Sequence, residues 1–263
     1  LGALLGKGQP EFLSAAGFSS SPHLMFSGND KDTGEWFQLF QIGFGGIPGR
    51  PFGDGPDGHS LWPGFTNVPN EFLERYFPMR ITNYTSIADS GGAGFFRGGN
   101  GIIMTYEFLN AGIISIHDDR WFTYPWGVNG GEPGKRSKKV LRRKDGSEVV
   151  LPSKCDGIEV FDGDELDYIT WGGGGWGNPL EREASLVALE VKRGLVTMQG
   201  AFENYGVKVK DDFSVDEAVT ANRRGVMAKN RPEGIFNYGP DMDSLRENCL
   251  RDTGLEAPIP PRW

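Results

Sequence analysis

Trp171-Gly172-Gly173-Gly174-Gly175-Trp176-Gly177-Asn178-Pro179-Leu180 is where the sequence changes its period. Upstream, apolar residues alternate in short runs, the pattern of half-buried strands. Downstream they recur at helical spacing. Asn178 reads as an N-cap with Pro179 in the first helical position. Leu180, Ala184, Val187, Val191 and Leu195 form one stripe, and Gly194 supplies the stop. Thr197 caps a shorter helix that ends at Tyr205-Gly206. Ser214 and Glu217 form an S-x-x-E capping box that opens a third helix running to about Met227. The fold class is therefore α+β: a β-rich body with Gly-rich loops and a C-terminal helical tail. Three parts are expected: a Gly/Pro/aromatic-rich segment over 1–78, a β-rich domain over 79–177, and a helical tail with an extended C-terminus over 178–263.

Within the body, Ile102–Phe108 and Gly112–His117 read as a hairpin joined by Asn110-Ala111-Gly112. Lys138–Arg143 and Glu148–Leu151 flank Asp145-Gly146, the signature of a two-residue type I′ turn. Asp156–Tyr168 repeats the theme around Asp162-Gly163-Asp164. Nearer the start, Trp36–Ile42 and Met79–Ser86 read as strands and Val68–Tyr76 as a short helix. The tail from Arg231 is rich in Pro, Gly and Asn, and Pro258–Trp263 is expected to run extended over a surface.

Composition narrows the function. Forty of 263 residues are glycine, about twice the usual share of roughly 7%. No G-X-Y period is present, and 18 Phe and 7 Trp can build a core, so the chain is neither collagenous nor disordered. The net charge of −8 argues against a nucleic-acid partner. The one basic run, Lys135–Lys144, reads as a solvated loop or hairpin face. Cys155 and Cys249 could form at most one bridge, and a disulfide framework or Cys-rich zinc site is not expected. No apolar run is long enough to span a membrane and Leu1–Leu5 is no secretory signal, which points to a soluble, cytoplasmic setting. The Leu start suggests a processed product or a fragment.

Chemistry could reside in four places. Asp89–Gly101 carries six glycines in thirteen residues but lacks the dinucleotide and P-loop spacings. It is either a nest of N–H groups in which Gly92 and Gly94 meet an anion with Arg97, or a set of tight turns packed on a neighbouring chain. The second cluster, Trp171–Pro179, lines a substrate pocket or subunit contact through Gly174, or is a structural crossover. Asp57 and His59 are near enough for acid–base or metal chemistry, the alternative being a turn residue bonded locally. Asp119 and Arg120, in His117-Asp118-Asp119-Arg120, are either catalytic or a structural ion pair. GxSxG, HExxH and CxxC are all absent, and no metal ligand is assigned.

At these glycine clusters the sequence resembles the C-terminal half of the hydantoinase B/oxoprolinase family. That family groups 5-oxoprolinases, N-methylhydantoinases and related lactam-opening enzymes with acetone and acetophenone carboxylases. The matching stretches run in family order. They begin with Thr66-Asn67, Pro69, Glu71 and Pro78-Met79-Arg80. Asp89–Gly94 and Arg97–Gly101 follow, then Asp119-Arg120 with Pro125-Trp126-Gly127 and Gly130-Gly131. The rest are Leu151–Lys154, Gly172–Gly177 with Pro179–Arg182, Gly194–Val196 and Tyr205–Val207. The resemblance spans about residues 24 to 207.

The resemblance implies an enzyme subunit active within a multi-subunit complex. A hydantoinase A-type partner would bind ATP and Mg and phosphorylate an oxygen of a small-molecule substrate; the B-type subunit would complete the reaction. Cyclic-amide opening is the expected chemistry. ATP-dependent ketone carboxylation and a purely structural role are the alternatives. Trp126 joins Arg97, Gly92, Gly94 and Gly174 as expected substrate-binding residues, and Asp119, Arg120, His59 and Asp57 are the expected catalytic ones. Family members carry a longer, Asp- and His-rich N-terminal half, the expected place for a transition metal. Nothing in this sequence matches it, so that half is expected on another chain or a missing portion of this one.

Overall fold

The computed structural model describes residues 2–17, 22–60, 64–231 and 234–259. The elements, in chain order, are α1 (Gly2–Gly8), β1 (His23–Asn29), β2 (Trp36–Ile42), α2 (Asn70–Tyr76), β3 (Met79–Ser86), β4 (Ile102–Phe108), β5 (Gly112–His117), β6 (Gly127–Val128), β7 (Lys138–Arg142), β8 (Glu148–Leu151), β9 (Lys154–Val160), β10 (Glu165–Ile169), α3 (Ala184–Lys192), α4 (Met198–Asn204), α5 (Glu217–Met227), β11 (Phe236–Asn237) and α6 (Met242–Thr253). The α+β class and the expected strands over 36–42 and 79–86 are as read from sequence.

Two antiparallel sheets face each other. One has the order β2-β1-β5-β9 and the other β3-β4-β10-β7-β8. Leu24, Phe26, Leu39, Ile114 and Val160 from the first meet Met104, Phe108, Leu141 and Leu166 from the second, and Leu73 of α2 joins this core. The first sheet takes strands from both sides of residue 78.

The expected hairpin of Ile102–Phe108 with Gly112–His117 does not form. Both strands exist, but the chain steps from one sheet to the other at Asn110. Its amide donates to the Asn29 carbonyl and accepts from the Lys31 N–H, at 3.0 and 2.9 Å. These bonds tie the turn to the distant β1–β2 connection. The step between β9 and β10 is its counterpart, joined to it by the Gly163 N–H to Phe108 carbonyl bond of 2.8 Å. The β7–β8 hairpin does form, but with three loop residues. Arg143 N–H bonds Ser147 carbonyl, and Gly146, at φ +86°, takes the left-handed position.

Beyond Gly177 the chain turns helical as read, with a break. Asn178 caps a 3-10 turn over Pro179–Glu181, and α3 begins afresh at Ala184 because Arg182 is extended. Gly194 at φ +73° closes α3 with the paired bonds of a Schellman motif, Gly194 to Val191 and Leu195 to Glu190. Thr197 caps α4. Asp216 caps α5 rather than Ser214, whose side chain is held by Asp212. The C-terminal tail is not wholly irregular: α6 runs from an Asp241 cap to Gly254 at φ +70°. Residues 260–263 of the expected extended end lie outside the described residues. α3 and α4 enclose a second small core of Val187, Val191, Ala201 and Tyr205.

Between the sandwich and this helical lobe lies a layer with almost no side chains in it. Gly172–Gly175 run through its centre. Gly172 and Gly175 donate to Lys135 and Glu132, while the carbonyls of Trp171 and Gly174 accept from Gly46 and Gly49. Gly173 donates to Gly99 and accepts from Gly92; Gly174 donates to Ala16. The segments at 46–49, 132–135 and 96–99 are each met again after three residues, the period of a polyproline II helix, which makes no internal hydrogen bonds. None of these four glycines has positive φ. They are glycine for want of room: a Cβ would lie 1.8 Å from Ser90 O at Gly172, 2.2 Å from Ile47 O at Gly173, and 2.1 Å from Trp126 O at Gly174.

Candidate functional site

The strand β5 ends at His117 and the next residue turns inward. Asp118 is fully buried, its N–H bonded to Ser153 carbonyl at 2.7 Å and its carboxylate paired with Lys139. The chain then reverses at Arg120, whose φ of +61° is rare for a non-glycine residue. Ser137 holds the reversal by bonding the Asp119 and Arg120 carbonyls. Such a position persists when surrounding structure enforces it, and functional sites are where it collects.

The reversal lays the Arg120 guanidinium over Trp126, 4.8 Å from the ring centroid, with Nε on the Gly17 carbonyl at 3.0 Å. No described residue accepts from its two terminal nitrogens. Burial pulls its pKa down, and the Asp119 charge opposes this. Trp126 in turn packs at 5.8 Å on Tyr238, which stacks on Phe236. The short β6–β11 pairing brings these rings together. They wall a pocket of about 590 Å³ with Tyr124, Met242 and Leu245. Its size and aromatic lining suit a small flat ligand. Asp119 sits beside it in sequence, bound to Lys154 at 2.7 Å.

The other expected site residues lie elsewhere. Arg97 is 4% exposed. Its guanidinium bonds both oxygens of Asp57, at 2.8 and 3.1 Å, and its Nε bonds Glu190. Burial alone would lower its pKa; the bonds and charges of Asp57 and Glu190 reverse this and raise it. Arg182 grips the same Glu190 and both oxygens of Asp54, at 2.8 and 2.7 Å. The cluster cross-links the glycine layer to α3. Asp57 also accepts from Asn100 N–H, and no hydrogen bond joins it to His59. His59 is exposed, with Nδ1 at 2.6 Å from its neighbour's carbonyl. Gly92, Gly94 and Gly174 are all buried within the layer.

Among the glycines of the two clusters, only Gly94 has an N–H without an acceptor among the described residues. The N–H groups of Gly91, Gly92, Gly98, Gly99 and Gly172–Gly175 are all bonded to other parts of the chain, whereas an anion nest needs free ones. Among the described residues no group of three or more His, Cys, Asp or Glu is arranged to hold a metal ion.

One feature of the basic run differs from its reading as a solvated face. Lys139 is 1% exposed. It pairs with Asp118, donates to Ile169 carbonyl at 2.9 Å and lies 4.1 Å from the centre of the Tyr168 ring. Burial lowers its pKa, with Asp118 opposing. The signal was available: in a strand Lys139 shares its face with Leu141.

The model of the hydantoinase B/oxoprolinase family matches residues 1–179. The chain belongs to the hydantoinase B/oxoprolinase family. Its sequence is 31% identical over 214 residues to the B-type subunit of a putative D-/L-hydantoinase from a Pseudomonas species, covering 81% of this chain and 36% of that protein. Its fold is similar to the ATP-dependent caprolactamase of Pseudomonas jessenii, with a TM-score of 0.72 and 25% identity, over 84% of this chain and 40% of the other. A nucleotide-free acetone carboxylase shares the fold at TM-score 0.69 and 23% identity, over 86% and 35%. This hydantoinase B-type chain spans 27–36% of the length of three curated relatives and 8–13% of five longer ones. No helix among the described residues is long and apolar enough to cross a membrane.

Proposed function

We propose that the chain works as a hydantoinase B-type subunit, or a C-terminal part of one, in an ATP-dependent complex that opens a cyclic amide. The observation that carries this reading is the 31% identity, over 81% of the chain, to a protein named as a hydantoinase subunit. The caprolactamase fold points the same way. Acetone carboxylase, at lower identity, supports the fold alone. ATP and Mg are assigned to a hydantoinase A-type partner, because every glycine N–H of the two clusters except that of Gly94 is already bonded and one N–H makes no phosphate cradle. The partner transfers the terminal phosphoryl group of ATP to the amide oxygen, releasing ADP; water then adds to the ring carbon, the C–N bond breaks and inorganic phosphate leaves, so that the ring yields a carboxylate and an amine. An intermediate of this kind needs shelter from bulk water.

Arg120 and Trp126 are the chain's contribution to the substrate side. The ring of Trp126 walls the pocket, and the terminal nitrogens of Arg120, which stacks on that ring, offer donors to a substrate oxygen at the ring's edge. Asp119 steadies the corner through Lys154. Asp57, Arg97, Gly92, Gly94 and Gly174 hold the frame.

The test is turnover by the assembled complex, with full-length subunit, partner, ATP, labelled lactam and labelled bicarbonate. Ring-opened amino acid formed with ATP consumption is the expected result. Arg120→Ala should lower kcat/KM by about 100-fold if it positions substrate, with assembly intact. Label entering from bicarbonate would replace the hydrolase reading with a carboxylase. Normal turnover in Arg120→Ala, Trp126→Ala and Asp119→Asn would leave this chain a structural role.

A further inference from the structure

A second cavity lies on the other side of Tyr124, between the β7–β8 hairpin, the 118–124 loop and α6. Its volume is about 220 Å³, and it shares only Tyr124 with the aromatic pocket. One bulk water occupies about 30 Å³, so the space suits a molecule of a handful of heavy atoms.

Its chemistry is asymmetric. Lys135, Arg136, Lys138 and Lys139 line it against Asp118 and Asp252. Asp118 and Lys139 neutralise each other. Arg136 donates to Trp121 carbonyl at 2.9 Å and pairs with Asp252 of α6 at 3.1 Å. Lys135 and Lys138, both exposed at the rim, leave a net positive charge. Ser153 is 2% exposed, lines the space and has a buried hydroxyl with no partner among the described residues. An unpaired buried hydroxyl is costly, and a partner from outside the chain removes the cost. The remaining wall is apolar: Trp121, Val150 and Leu151. α6 roofs it with Cys249 and Thr253.

We propose that this cavity binds a small organic carboxylate, its oxygens met by the Ser153 hydroxyl and the cationic rim, its short carbon stem by Trp121, Val150 and Leu151. A bare inorganic anion would leave the apolar wall unused. A cation would face the rim charges with no free carboxylate to meet it.

Butanoate is the probe, titrated into the full chain by calorimetry and by amide chemical shifts, with butylamine and inorganic phosphate as parallel arms. Saturable butanoate binding is expected, with shifts at residues 136–139, 150–153 and α6, and none from butylamine. Ser153→Ala should weaken it about tenfold and raise Tm rather than lower it, since it removes a buried hydroxyl with no protein partner. Val150→Phe should fill the space and abolish binding. Three results would overturn the site: no saturation by about 50 mM butanoate, equal affinity for phosphate, or wild-type binding in both variants.

Discussion

The sandwich and the glycine layer fill their interiors by opposite means. Between the sheets, the buried volume is side chain: Phe26, Phe108, Leu141 and Leu166 are all without exposure. There, removal of apolar surface from water is the cohesive term, about 25 cal/mol per Å². In the layer the buried volume is backbone. Segments around 46–49, 91–99, 127–134 and 172–175 touch carbonyl to Cα and exchange hydrogen bonds in every direction. Each bond contributes about 1 kcal/mol net. Side chains can change rotamer to absorb a small change in volume. Carbonyl oxygens bonded on two sides cannot, so the layer should be far less tolerant than the sandwich.

The comparison breaks most sharply at one methyl group. Gly172→Ala places a Cβ 1.8 Å from Ser90 O, and backbone on both sides is held by other bonds. Loss of more than about 5 kcal/mol is expected, enough to prevent folding. Leu166→Ala, which deletes a larger group from the heart of the sandwich, should cost about 2–5 kcal/mol and leave a folded chain. Denaturant midpoints and soluble yield decide it. A folded Gly172→Ala with a smaller loss than Leu166→Ala would mean that the layer can shift.

Much of this division was legible in the sequence, for a physical reason. Caps and stops are local: Asn178, Thr197, Gly194 and Gly206 act within a few residues of themselves. The strands over 36–42, 79–86 and 102–108 are equally local, since alternation belongs to one segment. Pairing is not. The turn at Asn110 looked like a hairpin because its deciding partners, Asn29 and Lys31, lie some 80 residues away. Asp57 and Arg97 were each singled out as site residues, but their bond to one another spans 40 residues. The four glycines of 172–175 read as a pocket lining, a subunit contact or a crossover, whereas they are glycine because of the press of neighbouring segments, which no local pattern announces.

The buried pair of the sandwich gives the next largest effect. Lys139→Met leaves the Asp118 carboxylate in the interior without its cation, at a cost of about 3–5 kcal/mol. Adding Asp118→Asn should recover most of it. The double variant also isolates a pH effect. Burial depresses the folded-state pKa of Lys139 below its ordinary 10.5, with Asp118 opposing. Between those two values the unfolded chain holds a proton that the folded chain has released, so stability rises with pH. Unfolding free energies followed through the alkaline range should therefore move in the wild type's favour relative to the double variant, ending near pH 10.5. An unchanging difference would place the Lys139 pKa at its ordinary value.

The smallest effect sharpens the comparison from the other side. Gly225 has the same side chain as Gly172 but stands exposed in α5, with nothing within 4 Å of where a methyl group would sit and no positive φ. Here glycine does nothing that alanine cannot. It loses more backbone entropy on folding and exposes the helix to water, so Gly225→Ala should stabilise the chain by about 1 kcal/mol. The pair asks whether glycine is required by conformation or by distance. If conformation were the reason, two glycines without positive φ would respond alike. If distance is the reason, the same methyl group raises Tm at 225 and unfolds the chain at 172.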